Sequence, residues 1–285
     1  MAGIRIVTDS ACDLPPAMAE AHAIDIVPLT VRIGDTEYVD RRDLTPSEFW
    51  VKSSAEKNLP ETAAPSPGAF EEAFRAAAAQ GATGVVCVTL SSELSATYQS
   101  AQLAGDAVKD TIAVRVIDGR SVTMAQGFLA IAGAEAAAAG KSIDEVAAVI
   151  ESKVPRMRLF AAFDTLENLK KGGRIGAARA AFGSMLSVKP LIKLEDGAVT
   201  EAGKQRTRGR SLEHLIETVK ENGAAAAKPI AVMHGEAPDI DGFVDNLCSA
   251  LGRSRDEILV ASIGSVVGTH AGPRVIGVAY DEPEA

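Results

Sequence analysis

The chain has 285 residues and carries 29 basic against 38 acidic side chains, a net charge of −9, with hydrophobic residues at 47% and charged residues at 24%. These proportions exclude disordered and low-complexity classes, and the length suits two domains able to bury about 70% of their accessible surface. The acidic excess argues against general nucleic-acid binding, because a polyanion would be repelled over most of the surface, so any anion site must be local.

The chain opens on a strand pattern, IRIV at 4–7, with no basic stretch, apolar region or cleavage site that would read as a secretion signal. Further apolar runs at 26–33 (IVPLTVRI), 85–90 (VVCVTL) and 114–117 (VRVI) read as strands. Helix starts lie between them. Thr45-Pro46-Ser47-Glu48 joins an N-cap, a proline at the first helical position and a capping-box acid; Ser142-Ile143-Asp144-Glu145 repeats the box, and Ser66-Pro67 is a third cap. Strands alternating with helices imply βαβ units and a Rossmann-like, mainly parallel sheet over residues 1–155. The most apolar segment, 125–139, is broken by Gln126 and Glu135 and is shorter than the roughly 20 residues a membrane span needs.

After Pro155 the texture changes. Strand candidates at 159–163, 191–194, 198–200, 229–233, 257–263 and 275–279, a hairpin signal at Asp196-Gly197 and helices near 177–187, 211–222 and 240–251 predict an α+β domain over 156–285. The fold class expected is therefore α/β, with a parallel-sheet domain followed by an α+β domain. Cys12, Cys87 and Cys248 are odd in number and lack a C-x-x-C pair, so neither a disulfide framework nor a zinc site is read, and a reducing cytoplasm fits.

Five segments could carry chemistry. The first, Ser91-Ser92-Glu93-Leu94-Ser95-Ala96-Thr97, follows a buried strand, where hydroxyls beside free helix N–H groups suit a carboxylate or phosphate; helix capping by Ser91 or Ser92 competes with that reading. The second, from Thr62 to Gly68, is a loop entering a helix, and alone is a turn and a cap. In the third, from Gly264 to Pro273, glycines flank His270, which is either an anion donor or structural. The fourth is basic: Lys170, Lys171, Arg174 and Arg179, then Lys204, Arg206, Arg208 and Arg210, whose even spacing would align them on one face of a strand. Solvated surface competes with an anionic ligand or acidic partner there. The fifth, Thr8 to Pro15, reads as a strand end with Asp13 or Ser10 capping a helix, and Cys12 lacks a base to make it a nucleophile. There is no P-loop, no G-x-G-x-x-G and no G-x-S-x-G. A hydrolase or phosphotransferase using Ser92 and His270 on a small amphipathic substrate remains the alternative.

Taken in order, VTDSACDLP, TAAPSPG, SSELSATYQSA, NLKKGGRIG, VKPLI, KQRTRGR and GTHAGP resemble the DegV family of bacterial proteins along the whole chain. Departures are Thr-Ala-Ala-Pro in place of Thr-Ser-Gln-Pro, Ala96 in place of glycine, and Arg274 after the last Gly-Pro. The resemblance implies a non-catalytic carrier with no cofactor. It would hold one long-chain fatty acid in a tunnel between or near the two domains, with the carboxylate on Thr62, Ser91, Ser92 and His270. A separate fatty acid kinase catalytic subunit would phosphorylate that carboxylate to an acyl-phosphate feeding phospholipid synthesis. Lys170, Lys171, Arg174, Arg206 and Arg208 would form the rim meeting the kinase, with only transient contact with a membrane surface. Phe128, Phe163, Met185 and Ile192 are apolar candidates for the tunnel lining, with ordinary core the favoured role for each.

Overall fold

The computed structural model describes residues 3–178, 180 and 188–283; the expected Arg179 and Met185, and most of the helix expected near 177–187, lie outside the described residues. The first half is built on four parallel strands in the order β2-β1-β6-β7, formed by β1 (Ile4–Asp9), β2 (Ile24–Val27), β6 (Gly84–Thr89) and β7 (Ala113–Asp118). Strand β6 is buried at every position, as a central parallel strand with both faces covered must be.

The run at 26–33 is not one strand. Pro28 lacks an N–H for the ladder and Leu29 N–H leaves it to donate to Ser10 Oγ at 3.1 Å, so the chain turns out of the parallel sheet. The next strand, β3 (Thr30–Ile33), instead pairs with β4 (Thr36–Val39) and β5 (Glu61–Ala63) in a small antiparallel sheet. Thr62 consequently sits on a strand, opposite Val31, rather than in a loop.

Helix α1 (Pro16–Ala21) leads into β2; α2 (Pro46–Ala55) has the full capping box on Thr45 and Glu48, and α3 (Pro67–Ala79) is capped by Ser66. Helix α4 (Thr97–Ala107) follows β6. The apolar segment noted above becomes α5 (Thr123–Ala138), buried on nearly all sides because it packs on β1 and β6 of the parallel sheet and on β8, β11 and β13 of the second sheet. Helix α6 (Ile143–Lys153) starts with the capping box on Ser142 and Glu145.

The chain passes to the second sheet across residues 154–156. That sheet has six strands in the order β10-β9-β8-β13-β11-β12, all antiparallel except the β11–β12 pair. Its strands are β8 (Met157–Ala162), β9 (Lys189–Glu195), β10 (Ala198–Gln205), β11 (Ile230–His234), β12 (Ile258–Ser262) and β13 (Ile276–Asp281). Asp196 and Gly197, both at positive φ (50° and 82°), make the tight β9–β10 hairpin. The remaining helices are α7 (Glu167–Lys171), α8 (Arg208–Val219), α9 (Ile240–Leu251) and α10 (Ser265–Ala271). The even spacing from Lys204 to Arg210 does not produce one basic face, because β10 ends at Gln205 and Thr207 caps α8, which begins at Arg208. One hydrophobic core runs between the sheets, joining Ile6 and Leu129 to Leu159 and Met233.

Helix α10 is wedged against α2. Phe49 and Trp50 meet edge to face with centroids 4.9 Å apart, Trp50 Nε1 donates to Ile263 O at 3.3 Å, and Gly268 lies against both rings. A methyl group at residue 268 would come 2.8 Å from ring carbons of both. Gly268→Ala is expected to destabilise the protein by about 1–3 kcal/mol, the usual cost of overpacking a filled core. Thermal unfolding checks it, and an unchanged midpoint would show that the aromatic pair yields.

Candidate functional site

A cavity of about 210 Å³ lies between the face of the six-stranded sheet, α10 and the segment joining β6 to α4. Its walls are mostly aliphatic, with Leu94, Ile192, Leu194, Val199, Met233 and Val266 among them. Of the expected lining residues, Phe163 and Ile192 border it; Phe128 does not and belongs to the core of α5.

Polar groups gather where β5, α10 and the start of α4 meet. Thr62 on β5 and His270 near the end of α10 are brought together, Thr62 Oγ1 to His270 Nε2 at 2.8 Å. The imidazole also abuts the backbone of Gly172: a Cβ there would overlap Nδ1, which has no hydrogen-bond partner among the described residues. Gly172 is therefore a glycine because the ring needs that space. Asn168 Nδ2, on α7, supports the helix by donating to Thr269 O at 3.0 Å.

The serines are placed differently from expectation. Ser91 Oγ donates to Gly197 O at 2.8 Å and accepts from Glu93 N–H, while Ser92 Oγ and N–H both donate to Asp118, at 2.5 and 3.1 Å. Neither lines the cavity. Ser95 does, with its Oγ 2.8 Å from Thr97 Oγ1 and accepting from Thr97 N–H. The reason is where the helix begins: α4 starts at Thr97, so the hydroxyl beside its first N–H groups is Ser95, whereas Ser91 and Ser92 face a hairpin tip and the end of β7. The distance from the serine pair to the first periodic helical residue was the missed signal. Ala96, where glycine was expected, has φ −74° and needs none.

Arg174 also lines the cavity, with Nε donating to Leu94 O (3.1 Å) and Nη1 to Gly172 O (2.7 Å), both neutral, and among the described residues no carboxylate pairs with it. His270 is pushed down to about 4, first by burial and then by this cation, so it is neutral near pH 7. The site thus offers two hydroxyls, one neutral imidazole and an adjacent guanidinium, which suits an anionic head on an apolar body.

Among the other basic residues, Lys170 and Lys171 are exposed at the end of α7 and Arg206 is exposed beyond β10. Arg208 is tied to Asp239 by two bonds of 2.6 Å and lies 3.4 Å from Asp164, so its charge is largely spent inside the protein. Arg274 pairs with the same Asp164 at 3.1 Å.

The segment from Thr8 to Pro15 has a structural role. Asp13 Oδ1 accepts from Gly264 N–H (2.9 Å) and Arg41 Nη2 (3.2 Å), Asp40 accepts from Ser265 Oγ, and so the start of α10 is fixed; neither Asp13 nor Ser10 is a helix N-cap, because Asp9 caps the 3-10 turn Ser10–Cys12, which ends at Asp13, and α1 starts after Pro15. Burial pushes the Cys12 thiol up to about 12, keeping it protonated. Among the described residues there is no cluster of His, Cys, Asp or Glu fit to hold a metal, and no helix long and apolar enough to cross a membrane.

A family model described as "Uncharacterised protein, DegV family" matches residues 3–282. A DegV domain-containing protein of Streptomyces coelicolor is 38% identical over 277 residues, covering 96% of this chain and 97% of the relative. Among solved structures, a fatty-acid-binding DegV family protein of Thermus thermophilus superposes with a TM-score of 0.88 at 30% identity, covering 99% of this chain and 100% of that one. A stearic-acid-binding protein of Eubacterium ventriosum gives 0.87 at 30% identity, covering 98% of each chain.

The neutral His270 has a measurable consequence. Its folded pKa lies below the unfolded value, so between about 6.5 and about 4 the unfolded chain takes up a proton that the folded chain refuses. The stability tied to the neutral ring is complete above about 6.5 and is lost as pH falls through about 4. Relative to His270→Gln, the wild type is expected to lose about 3 kcal/mol over that range, from 1.36 kcal/mol per pKa unit. Urea unfolding of both proteins from pH 7 to pH 4 checks it; a pH-independent difference would overturn the assignment.

Proposed function

The chain belongs to the DegV family, and we propose that it is a non-catalytic fatty-acid carrier that holds one long-chain acyl group in the cavity and presents the carboxylate to a separate fatty acid kinase. The observation that carries this reading is the junction of an apolar cavity with a head-group site made of Thr62, Ser95 and His270. Relatives described as binding fatty acid and stearic acid share the fold over nearly its full length. In this reading Ser95 takes the place first given to Ser91 and Ser92.

The energetics fit both ends of such a ligand. About fifteen methylenes leaving water gain on the order of 12 kcal/mol at ~0.8 each, enough to retain the chain after the costs of association. A buried carboxylate is costly unless hydrogen bonds replace its water. Hydroxyls and one imidazole N–H supply them, and Arg174, bonded to two carbonyls and to no carboxylate among the described residues, adds positive potential. The chemistry of activation then belongs to the ligand: its carboxylate oxygen attacks the terminal phosphorus of a nucleotide on the kinase, a P–O bond to the leaving nucleotide breaks, and an acyl-phosphate remains.

The rim for that partner consists of Lys170, Lys171, Arg174 and Arg206, with Arg208 withdrawn by Asp239. The three buried, unpaired cysteines accord with a reducing cytoplasmic setting. The hydrolase alternative is weakened because Ser92 is bonded to Asp118 and does not share the cavity with His270.

Mass spectrometry of lipid released from the purified protein is expected to find a fatty acid; a ligand-free protein that also fails to take up palmitate or oleate would overturn the carrier reading. Thr62→Ala, Ser95→Ala and His270→Ala are each expected to weaken fatty-acid retention by about 1–3 kcal/mol, the cost of an unpaired buried acceptor, with Ser92→Ala near wild type. Equal losses at Ser92 and Ser95 would undo the choice between them.

A separate measurement addresses the rim. The double variant Lys170→Glu, Lys171→Glu should keep fatty-acid affinity while kinase-coupled acyl-phosphate formation falls and loses part of its salt dependence. Undiminished coupling would remove these lysines from the partner surface.

A further inference from the structure

The cavity has a second end. Strands β8 and β9 are antiparallel with Phe160 opposite Lys193 and Ala161 opposite Ile192, and side chains alternate between faces. Leu159, Ala161 and Phe163 therefore share one face with Ile192 and Leu194, and all five border the cavity. Phe163 lies at the end of β8 that leads toward α7 and Arg174, the polar end. Leu159 is four residues back along the chain, about 13 Å away at ~3.3 Å per residue.

Beyond that point an open cleft of about 1100 Å³ runs between the end of β7, the link from α6 to β8 and the β9–β10 hairpin. Leu159 and Leu194 are the two residues that line both the cavity and the cleft. Leu159 is buried at 6% exposure, and Leu194 is half-buried, with part of its side chain turned to the open side. On the cleft side Val116, Ile117 and Met157 lie next to these two leucines, and the rest of the cleft is lined largely by polar and charged side chains such as Asp118, Arg120, Glu151 and Arg158.

We infer that Leu159 and Leu194 form the wall that stops the methyl end of the ligand and so set the acyl-chain length this protein accepts. The inference rests on the fatty-acid reading above. A chain anchored by its carboxylate at Thr62 and His270 runs along the sheet face until it meets these side chains. An additional methylene must then displace a packed leucine, and the resulting overpacking outweighs the gain from burying one more CH₂. Because Leu194 is the less enclosed of the two, it is the specificity-determining side of the wall. Removing it would vacate the volume of its side chain and join the cavity to the open cleft beside Val116 and Met157.

The test is competition of myristate, palmitate, stearate, arachidate and behenate for the purified wild type, Leu194→Ala and Leu194→Phe. Leu194→Ala is expected to raise the affinity for arachidate and behenate relative to palmitate on the order of tenfold, the worth of about two methylenes taken out of water. Leu194→Phe should move the preference toward myristate. Both variants change a half-buried side chain, and the opposite signs separate a wall from a general loss of packing. If the wild type binds fatty acid and both variants keep its chain-length profile, the wall is overturned while the carrier reading stands. If the wild type binds none of the five, the wall is overturned, and if it also fails to take up oleate the carrier reading fails with it.

Discussion

The position of one short helix determines what the head-group site can be. Helix α10 is only seven residues long, too short to hold its place through its own hydrogen bonds. Its start is fixed instead by carboxylates from the other half of the molecule: Asp13 accepts from Gly264 N–H, and Asp40 from Ser265 Oγ. Arg41, bonded to Asp13 and to Leu14 O (2.6 Å), offsets the charge that this burial concentrates. Desolvation nevertheless leaves Asp13 raised to about 6, a sign of how fully it has been withdrawn from water. Burying such a pair is expensive, and what it secures is the joining of the two ends of the sequence through Asp13 to Gly264 and Asp40 to Ser265.

That anchorage explains why the cavity sits where it does. Helix α5 fills the space between the two sheets with small and apolar side chains and leaves little void. At the carboxyl end of β6 the parallel sheet runs out, and the chain crosses to α4 through residues that never form a regular helix. The gap is bridged rather than filled. Ser91 reaches the β9–β10 hairpin, Arg120 reaches Asp196 O in the same hairpin, and α10 closes the other side against Phe49 and Trp50. Ligand space at the carboxyl ends of strands is what an open parallel sheet provides, and here the second sheet supplies its apolar floor.

Much of this was legible in residues with a strong local signature. Capping boxes at Thr45 and Ser142, the Asp196-Gly197 turn and the apolar run of β6 each specify their structure within a few residues, and each element forms as the sequence reads. The resemblance to the DegV family supplied Thr62 and His270, 208 residues apart, which no local pattern could have joined. What was not legible depended on tertiary partners. The division of 26–33 into two sheets turns on Pro28 together with Ser10, a hydroxyl 19 residues from the Leu29 amide it accepts from. The placement of Ser95 over Ser92 turns on Asp118, which captures both the hydroxyl and the amide of Ser92. Arg208 looked like free positive charge until Asp239, 31 residues away, was seen to hold it.

The electrostatics at the polar end of the cavity suit the proposed function, in which an anion is held and still passed on. A protonated histidine or a bidentate arginine would pair with a carboxylate strongly enough to lower its nucleophilicity. Here burial and Arg174 keep His270 neutral, so the groups nearest the cavity's polar end are dipoles, and the formal charge stands beside them on a side chain already engaged with two carbonyls. Dipoles of this kind make up for lost water without committing the ligand to a salt bridge. In the proposed function, retention falls mainly to the apolar body in the cavity. Conversion of a bound carboxylate to an acyl-phosphate would add negative charge next to Arg174 and the exposed Lys170 and Lys171, where the potential favours it. An apolar cavity that grips and a weakly charged end that reacts are the division of labour the proposed function requires, and the neutral histidine that suits it is a product of burial and of the neighbouring Arg174.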